Sequence, residues 1–264
     1  MSVESSRAVV VTSATADMKY SQFVRRWIEV WRLYGDAYGM SIEPRVLSPE
    51  PSAPSAMHVA ESMIHFPPER ISPLAFQAQV NRLLATRWLD VPDDSIVFAA
   101  DVDMFPGADS FCHRLIRGTP RDSFLIGRDV LSREQQFPMC YLSATVATWR
   151  AAFEHVTDSG AVWAEWSQPD VPQSDWFIDQ RLAYRELLAF SRRSGKHLIR
   201  WSDGASGHTR LDRAHYSPQV LWRAQLRTFS DYHAHRNPAK WRPIVRVIER
   251  RLRRTAAAMP SADQ

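Results

Sequence analysis

The sequence predicts an α/β fold, a mostly parallel central sheet flanked by helices. Short runs of β-branched and apolar residues alternate with longer segments whose apolar residues recur at helical spacing, which is the order of β-α units. The run Ile96-Val97-Phe98-Ala99-Ala100 is apolar throughout, as a strand covered on both faces must be. It leads into two acids one residue apart, Asp101 and Asp103, and then a Pro-Gly turn. Acids at the carboxyl end of such a strand lie where open α/β sheets keep their ligands.

The elements follow in chain order. Arg7–Thr15 (RAVVVTSAT) reads as a first strand, and Tyr20, Phe23, Trp27, Val30, Trp31 and Tyr34 mark a helix after it. The turn between them offers Thr12, Ser13 and Asp17 as nucleotide-binding candidates, with a plain helix cap as the alternative. Glu43–Leu47 reads as a second strand and Ser48–Ser55 (SPEPSAPS) as a surface loop. Pro73–Leu89 reads as a helix with Leu74, Phe76, Val80, Leu83, Leu84 and Trp88 on its apolar side, and it carries Asn81 and Arg82 ahead of Asp101. Ser110–Arg117 is a short helix, Ser123–Gly127 a strand, Pro138–Val146 a strand or ligand-facing turn, and Ala147–Val156 a helix. The stretch Trp163–Trp176 leads into a helix through Phe177, Leu182 and Leu187. Trp201–His215 reads as a loop and Pro218–Ser230 as a helix.

A chain of 264 residues has the length for one large domain, here 1–241, followed by a tail, 242–264. The formal net charge is +4, but Lys240–Arg254 holds seven basic residues and one acid, which leaves 26 basic and 28 acidic residues elsewhere from totals of 33 and 29. That uneven balance argues against a nucleic-acid-binding face and for a local contact with something anionic. In the tail, Ile244, Ile248 and Leu252 fall at helical spacing among arginines, a pattern shared by membrane-surface helices and by helices docked on their own protein. No apolar run is long enough to span a bilayer, and the opening MSVESSRAVVV lacks a secretory pattern. Cys112 and Cys140 have no metal-binding spacing and are expected to be buried free thiols, as in a reducing cytoplasm. A cytoplasmic protein, in peripheral contact with the inner face of the membrane through its tail, is the expectation.

Acids at i and i+2 on extended backbone point the same way, and converging carboxylate oxygens suit Mg²⁺ or Mn²⁺; the competing reading is a pair of turn formers or caps. A later imidazole would complete such a site without adding an anion, with His235 the first choice and His233 the second. Lys240 or Arg82 would pair with a phosphate. The tryptophans Trp163, Trp166 and Trp176 suit the apolar face of a sugar, or simply core burial.

Taken together these segments resemble the GT-A-fold glycosyltransferases. The layout is similar to the retaining family of glycogenin and the lipooligosaccharide galactosyltransferases. Val9–Thr15 matches the opening strand and turn, NRLLATRWL at Asn81–Leu89 the helix whose arginine contacts the donor, and Asp101 and Asp103 the D-x-D. Tyr141–Arg150 resembles the strand before a Trp-Arg helix start, with Leu-Ser-Ala in place of Asn-Ala-Gly. DQRLAY at Asp179–Tyr184 resembles the segment lining the reaction centre, without the second Asp, and DYHAHRNPAKW offers the late histidine and Lys240 without the glycine. The resemblance implies a metal-dependent transferase using a nucleotide sugar, a UDP-sugar by expectation, with Asp179 and Gln180 at the reacting centre and a glycan or lipid-linked acceptor. In a retaining mechanism the departing phosphate would act as base; in an inverting one Asp170, Asp175 or Asp179 would deprotonate the acceptor. The phosphatase fold with an Asp-x-Asp fits poorly, because Met104-Phe105-Pro106 follows the acids at midchain. A non-catalytic sugar-nucleotide or glycan-binding protein on the same fold is the alternative.

Overall fold

The structure is a computed structural model that describes residues 7–49, 61–70, 72–166, 177–213 and 229–259. Most of the Ser48–Ser55 loop, most of the Pro218–Ser230 helix, Trp176, Asp170 and Asp175 lie outside these residues.

The β-branched run forms β1 (Ala8–Ser13), an inner strand of the main sheet. It pairs in parallel with β2 (Ile42–Ser48) and β4 (Ile96–Ala99), and β2 pairs in parallel with β3 (Met63–His65). On the far side of β4 lie β7 (Leu142–Thr145), antiparallel to it, then β6 (Leu125–Ile126), antiparallel to β7, and β8 (Ile199–Arg200), parallel to β6. The seven strands run β3-β2-β1-β4-β7-β6-β8. The period-2 geometry of strands divides the apolar residues between two cores. Ala8, Val10, Ile96 and Phe98 pack into one, while Val9, Val11, Val97 and Ala99 pack into the other.

The first core is covered by α1 (Met18–Tyr38), capped by Asp17, whose carboxylate accepts from Lys19 N at 2.9 Å. Its stripe of Phe23, Trp27, Trp31 and Tyr34 is buried at the i, i+4 and i, i+3 spacings of one helix face. The second core lies under α2 (Leu74–Leu83), α4 (Val146–Ala152) and α6 (Ile178–Ser194). The segment Pro73–Leu89 is shorter as an α-helix than its pattern predicts, with a 3₁₀ turn at Ala85–Arg87 following Leu84. Smaller helices are α3 (Phe111–Arg117), α5 (Ser159–Trp166) and α7 (Asp203–Ser206).

A second sheet was not expected. It consists of β5 (Met104–Pro106), β10 (Asp231–His233) and β9 (Arg210–Asp212), with β10 antiparallel to β5 and parallel to β9. The supposed loop Trp201–His215 thus contains both a helical turn and a strand.

The last helix, α8 (Pro238–Ala258), is capped by Asn237 and crosses the expected boundary at 241 without a break. Trp241, Ile244, Val245, Ile248 and Leu252 are buried in the first core, where Trp241 meets Phe23 with ring centroids 5.2 Å apart. The helix is therefore docked on the fold rather than held apart as a tail, and its apolar face is satisfied by α1. No helix among the described residues is long and apolar enough to cross a membrane.

Candidate active site

A cavity of about 340 Å³ opens at the carboxyl ends of β1 and β4. Ser13, Asp17, Lys19 and Tyr20 form its wall on the β1 side, and Asp101, Asp103 and Met104 its floor. Because β7 is antiparallel, its amino end reaches the same edge, bringing Pro138 and Cys140 to the opposite wall. Gln180 and Asp179 enter from the start of α6, Arg82 from the end of α2.

The acids are placed by contacts from all sides. Trp27 Nε1 donates to the carbonyl of Asp101 at 3.0 Å, so α1 fixes the turn. The carbonyl of Asp103 accepts from Ala234 N at 2.7 Å, which ties the turn to the end of β10. The β5–β10 register sets His233 opposite Met104, and His233 Nε2 lies 3.5 Å from Asp103 Oδ2. His233 Nδ1 faces Asp212 Oδ2 at 3.4 Å, while Arg213 Nη1 donates to Asp103 Oδ2 at 2.8 Å. Burial alone would raise the Asp103 pKa, but the His233 and Arg213 partners outweigh it and hold it below the ordinary value. Burial would likewise lower His233, and Asp103 instead raises it.

Arg82 bridges Asp101 and Asp179, one guanidinium nitrogen to each. Its Nε has no hydrogen-bond partner among the described residues. Asp179 is 2% exposed, and burial pushes its pKa up against the pull of Arg82. Gln180 Oε1, at the cavity, is also buried and has no partner among the described residues.

The other sequence candidates are distributed less closely. Ser13 and Asp17 line the cavity, but Thr12 is fully buried beneath it. His235 and Lys240 do not line it; they stand beside each other, Nε2 to Nζ 3.5 Å, so the histidine at the cavity is His233. Trp163 stacks edge-on against Phe76 at 4.9 Å, and Trp166 lies 5.7 Å from the Arg185 guanidinium; neither reaches the cavity. Both cysteines are buried and free, with thiol pKa values raised by burial. Arg128, Arg210 and Arg213 line the cavity and were not singled out from sequence, since isolated arginines in a polar segment carry no local signal.

No family model and no curated protein matches the chain. Among solved structures, the galactosyltransferase LgtC in complex with donor and acceptor sugar analogs is similar at TM-score 0.54 and 13% identity, over 97% of this chain and 98% of that one. This chain has the GT-A glycosyltransferase fold. The apo-form glycosyltransferase GlyE of Streptococcus pneumoniae TIGR4 is similar at TM-score 0.49 and 14% identity, over 99% of this chain and 66% of that one. A glycosyltransferase involved in the glycosylation of the major capsid of PBCV-1 is similar at 0.45 and 11%, over 94% and 98%. The GT-A architecture expected from the motifs is the architecture found.

The donor set at the turn suits a divalent cation in kind: two carboxylates and an imidazole, with His233 Nε2 3.5 Å from the Asp103 carboxylate. Among the described residues no three His, Cys, Asp or Glu side chains already converge as a closed cluster. Arg82 holds one oxygen of Asp101 and Arg213 one of Asp103, so the second oxygen of each is the one left for an ion.

Proposed function

We propose that the protein is a metal-dependent glycosyltransferase that moves a sugar from a nucleotide-sugar donor, a UDP-sugar in the first instance, to a glycan or lipid-linked acceptor. The observation that supports this reading is that Asp101, Asp103 and His233 line one cavity on the carboxyl edge of a GT-A sheet, with His233 beside Asp103. Asp101, Asp103 and His233 would hold Mn²⁺ or Mg²⁺, which when bound neutralises charge on a diphosphate leaving group. Ser13 and Asp17 offer hydrogen-bonding groups to the nucleotide, and Lys19 and Arg213 add positive charge beside them. Gln180, whose carbonyl oxygen has no partner among the described residues, would accept from a sugar hydroxyl. Asp179 is buried against Arg82, so its role is to position that guanidinium rather than to attack. Retention, with the departing phosphate as base on the leaving-group side, is the stereochemistry we assign. The exposed arginines of α8, such as Arg246 and Arg250, are what remains for contact with an anionic membrane, and cosedimentation with anionic vesicles tests it.

Thermal unfolding with nucleoside diphosphates, each with and without Mn²⁺, tests the site. A ligand at 100 times its dissociation constant adds about 2.7 kcal/mol of stability. The expected outcome is a shift that needs both nucleotide and metal and is lost in Asp103→Ala; no shift with any nucleotide in folded protein would remove the proposal. The arginine pairs on both D-x-D acids favour one second reading, a non-catalytic sugar-nucleotide binder. Release of nucleoside diphosphate from donor, absent in that case, separates the two.

A further inference from the structure

Outside the D-x-D turn, the cavity wall carries a second set of charges. Arg128, just past β6, and Arg210, on β9, both line the cavity. Each is gripped by a carboxylate through two nitrogens. Arg128 Nε and Nη2 reach Asp203 at 2.8 and 2.9 Å, and Arg210 Nε and Nη2 reach Asp231 at 2.8 Å each. The holding acids are themselves linked, because His208 stands between them with Nε2 3.0 Å from Asp231 and Nδ1 3.7 Å from Asp203. Asp231 also accepts from the Tyr141 hydroxyl, and it is fully buried. Two guanidinium planes are thus fixed by one connected network, buried at Asp231 and His208.

Nη1 of each arginine makes no hydrogen bond among the described residues, although the side chains are only 19% and 14% exposed. Neither Nη1 is among the buried atoms without a partner, so both are open to the cavity, where their N–H groups can turn from water to a ligand that accepts. The matching group is a carboxylate or phosphate, whose oxygens fit guanidinium donors in fixed geometry. Each arginine is formally neutralised by its own acid, so recognition here comes from oriented donors rather than from net charge.

The sheet order says which part of a substrate meets them. The nucleotide turn follows β1, the D-x-D follows β4, and Arg128 follows β6, three strands from β1 and two from β4 in the order β1-β4-β7-β6. At strand spacing that is about 14 Å from the nucleotide turn and about 10 Å from the D-x-D. Arg210 stands between, its Nη2 3.6 Å from Met104 Sδ and 3.8 Å from Cys140 Sγ. β6 runs parallel to β4, since two antiparallel pairings separate them, so its carboxyl end lies on the same edge. We propose that Arg128 and Arg210 form an anion subsite for a carboxylate or phosphate carried by the transferred sugar or by the acceptor, apart from the donor diphosphate. The sidedness rests on the glycosyltransferase reading; the anion recognition does not.

Isothermal titration of the native protein with paired probes tests this. A donor arm compares UDP-glucuronate with UDP-glucose in Mn²⁺. An acceptor arm compares methyl glucuronide and glucose 6-phosphate with methyl glucoside, with UDP and Mn²⁺ present. In one arm an anionic probe should bind about tenfold or more tighter than its neutral counterpart, as charged hydrogen bonds require. Arg128→Gln should abolish that preference; Asp203, 34% exposed at its side chain, can be hydrated in its absence, so the variant folds. Arg210→Lys, which keeps a cation against Asp231, should weaken it as well. Equal binding of anionic and neutral probes in both arms, or a preference untouched by both substitutions, overturns the proposal. UDP with Mn²⁺ alone reads the donor assignment separately: if UDP fails to bind while methyl glucuronide is still preferred, the nucleotide reading falls and the anion subsite stands.

Discussion

Arg82 is the residue on which the site's electrostatics turn. Burial would drive its proton off, but Asp101 and Asp179 outweigh that and hold its pKa above the ordinary value. The dependence is mutual, since Asp179 sits 2% exposed with Arg82 as its counter-charge. Arg82→Met should therefore cost about 3–5 kcal/mol, the price of an uncompensated buried acid. Adding Asp179→Asn should recover most of it, because Asp101, 34% exposed at its side chain, can be hydrated. Urea unfolding of the single and double variants checks this, and a single-variant loss below about 1 kcal/mol would contradict it. Asp231 makes a second prediction. Burial opposes its ionisation, but His208 and Arg210 prevail and hold its pKa far below the ordinary 3.8. With the folded value depressed, its contribution is fully present above the unfolded value and is lost as pH falls through and below about 3.8, where only the unfolded chain takes up the proton. Asp231→Asn should be less stable at neutral pH, with a shallower loss of melting temperature between about pH 4 and pH 2 than the native protein. Parallel acid limbs would show that the network does not hold Asp231 ionised.

Among elements, the legible ones are those whose pattern is long enough to show a period. The stripe Phe23-Trp27-Trp31-Tyr34 and the runs in β1 and β4 are of this kind, and each lies where the sequence puts it. β5, β9 and β10 have three residues each, too few to show alternation, and they exist because they pair with one another. Amphipathicity in α8 was legible, but what its apolar face meets was not, because a helical stripe has the same spacing whether it lies on lipid or on α1. The structure puts that face in the core, so the helix should behave as a core element. Ile248→Ala, at a fully buried position, should cost about 2–5 kcal/mol, whereas Arg250→Ala on the exposed side should stay within about 0.5 kcal/mol. Equal, small effects in chemical denaturation would mean that α8 is not packed in solution.

At the scale of the whole molecule, the site is a junction between two sheets, and this explains which parts of it could be read in advance. Asp101 and Asp103 were legible because the strand before them and the turn after them are local. Arg82 was legible from its place on a helix ahead of that strand. The choice of His233 over His235 depends on the register of β10 against β5, and Arg210 and Arg213 reach the cavity only through the pairing of β9 with β10, so neither has a signature within a sequence window. The junction depends on Gly107, whose N–H donates to Ser230 O at 2.8 Å just ahead of β10. A Cβ there would fall 1.7 Å from the carbonyl oxygen of Phe229 and 2.7 Å from its carbon, which no side-chain rotation relieves. Gly107→Ala must therefore push the start of β10 away from β5, and His233 away from Asp103 with it. The expected cost is about 1–3 kcal/mol of stability from overpacking, together with loss of the stabilisation by nucleotide and Mn²⁺. Gly204→Ala, with nothing within 4 Å of the added carbon, should leave both properties unchanged. A Gly107→Ala protein that melts as the native one does and keeps its full nucleotide and Mn²⁺ response would show that the small sheet does not position the side chains proposed to hold the metal.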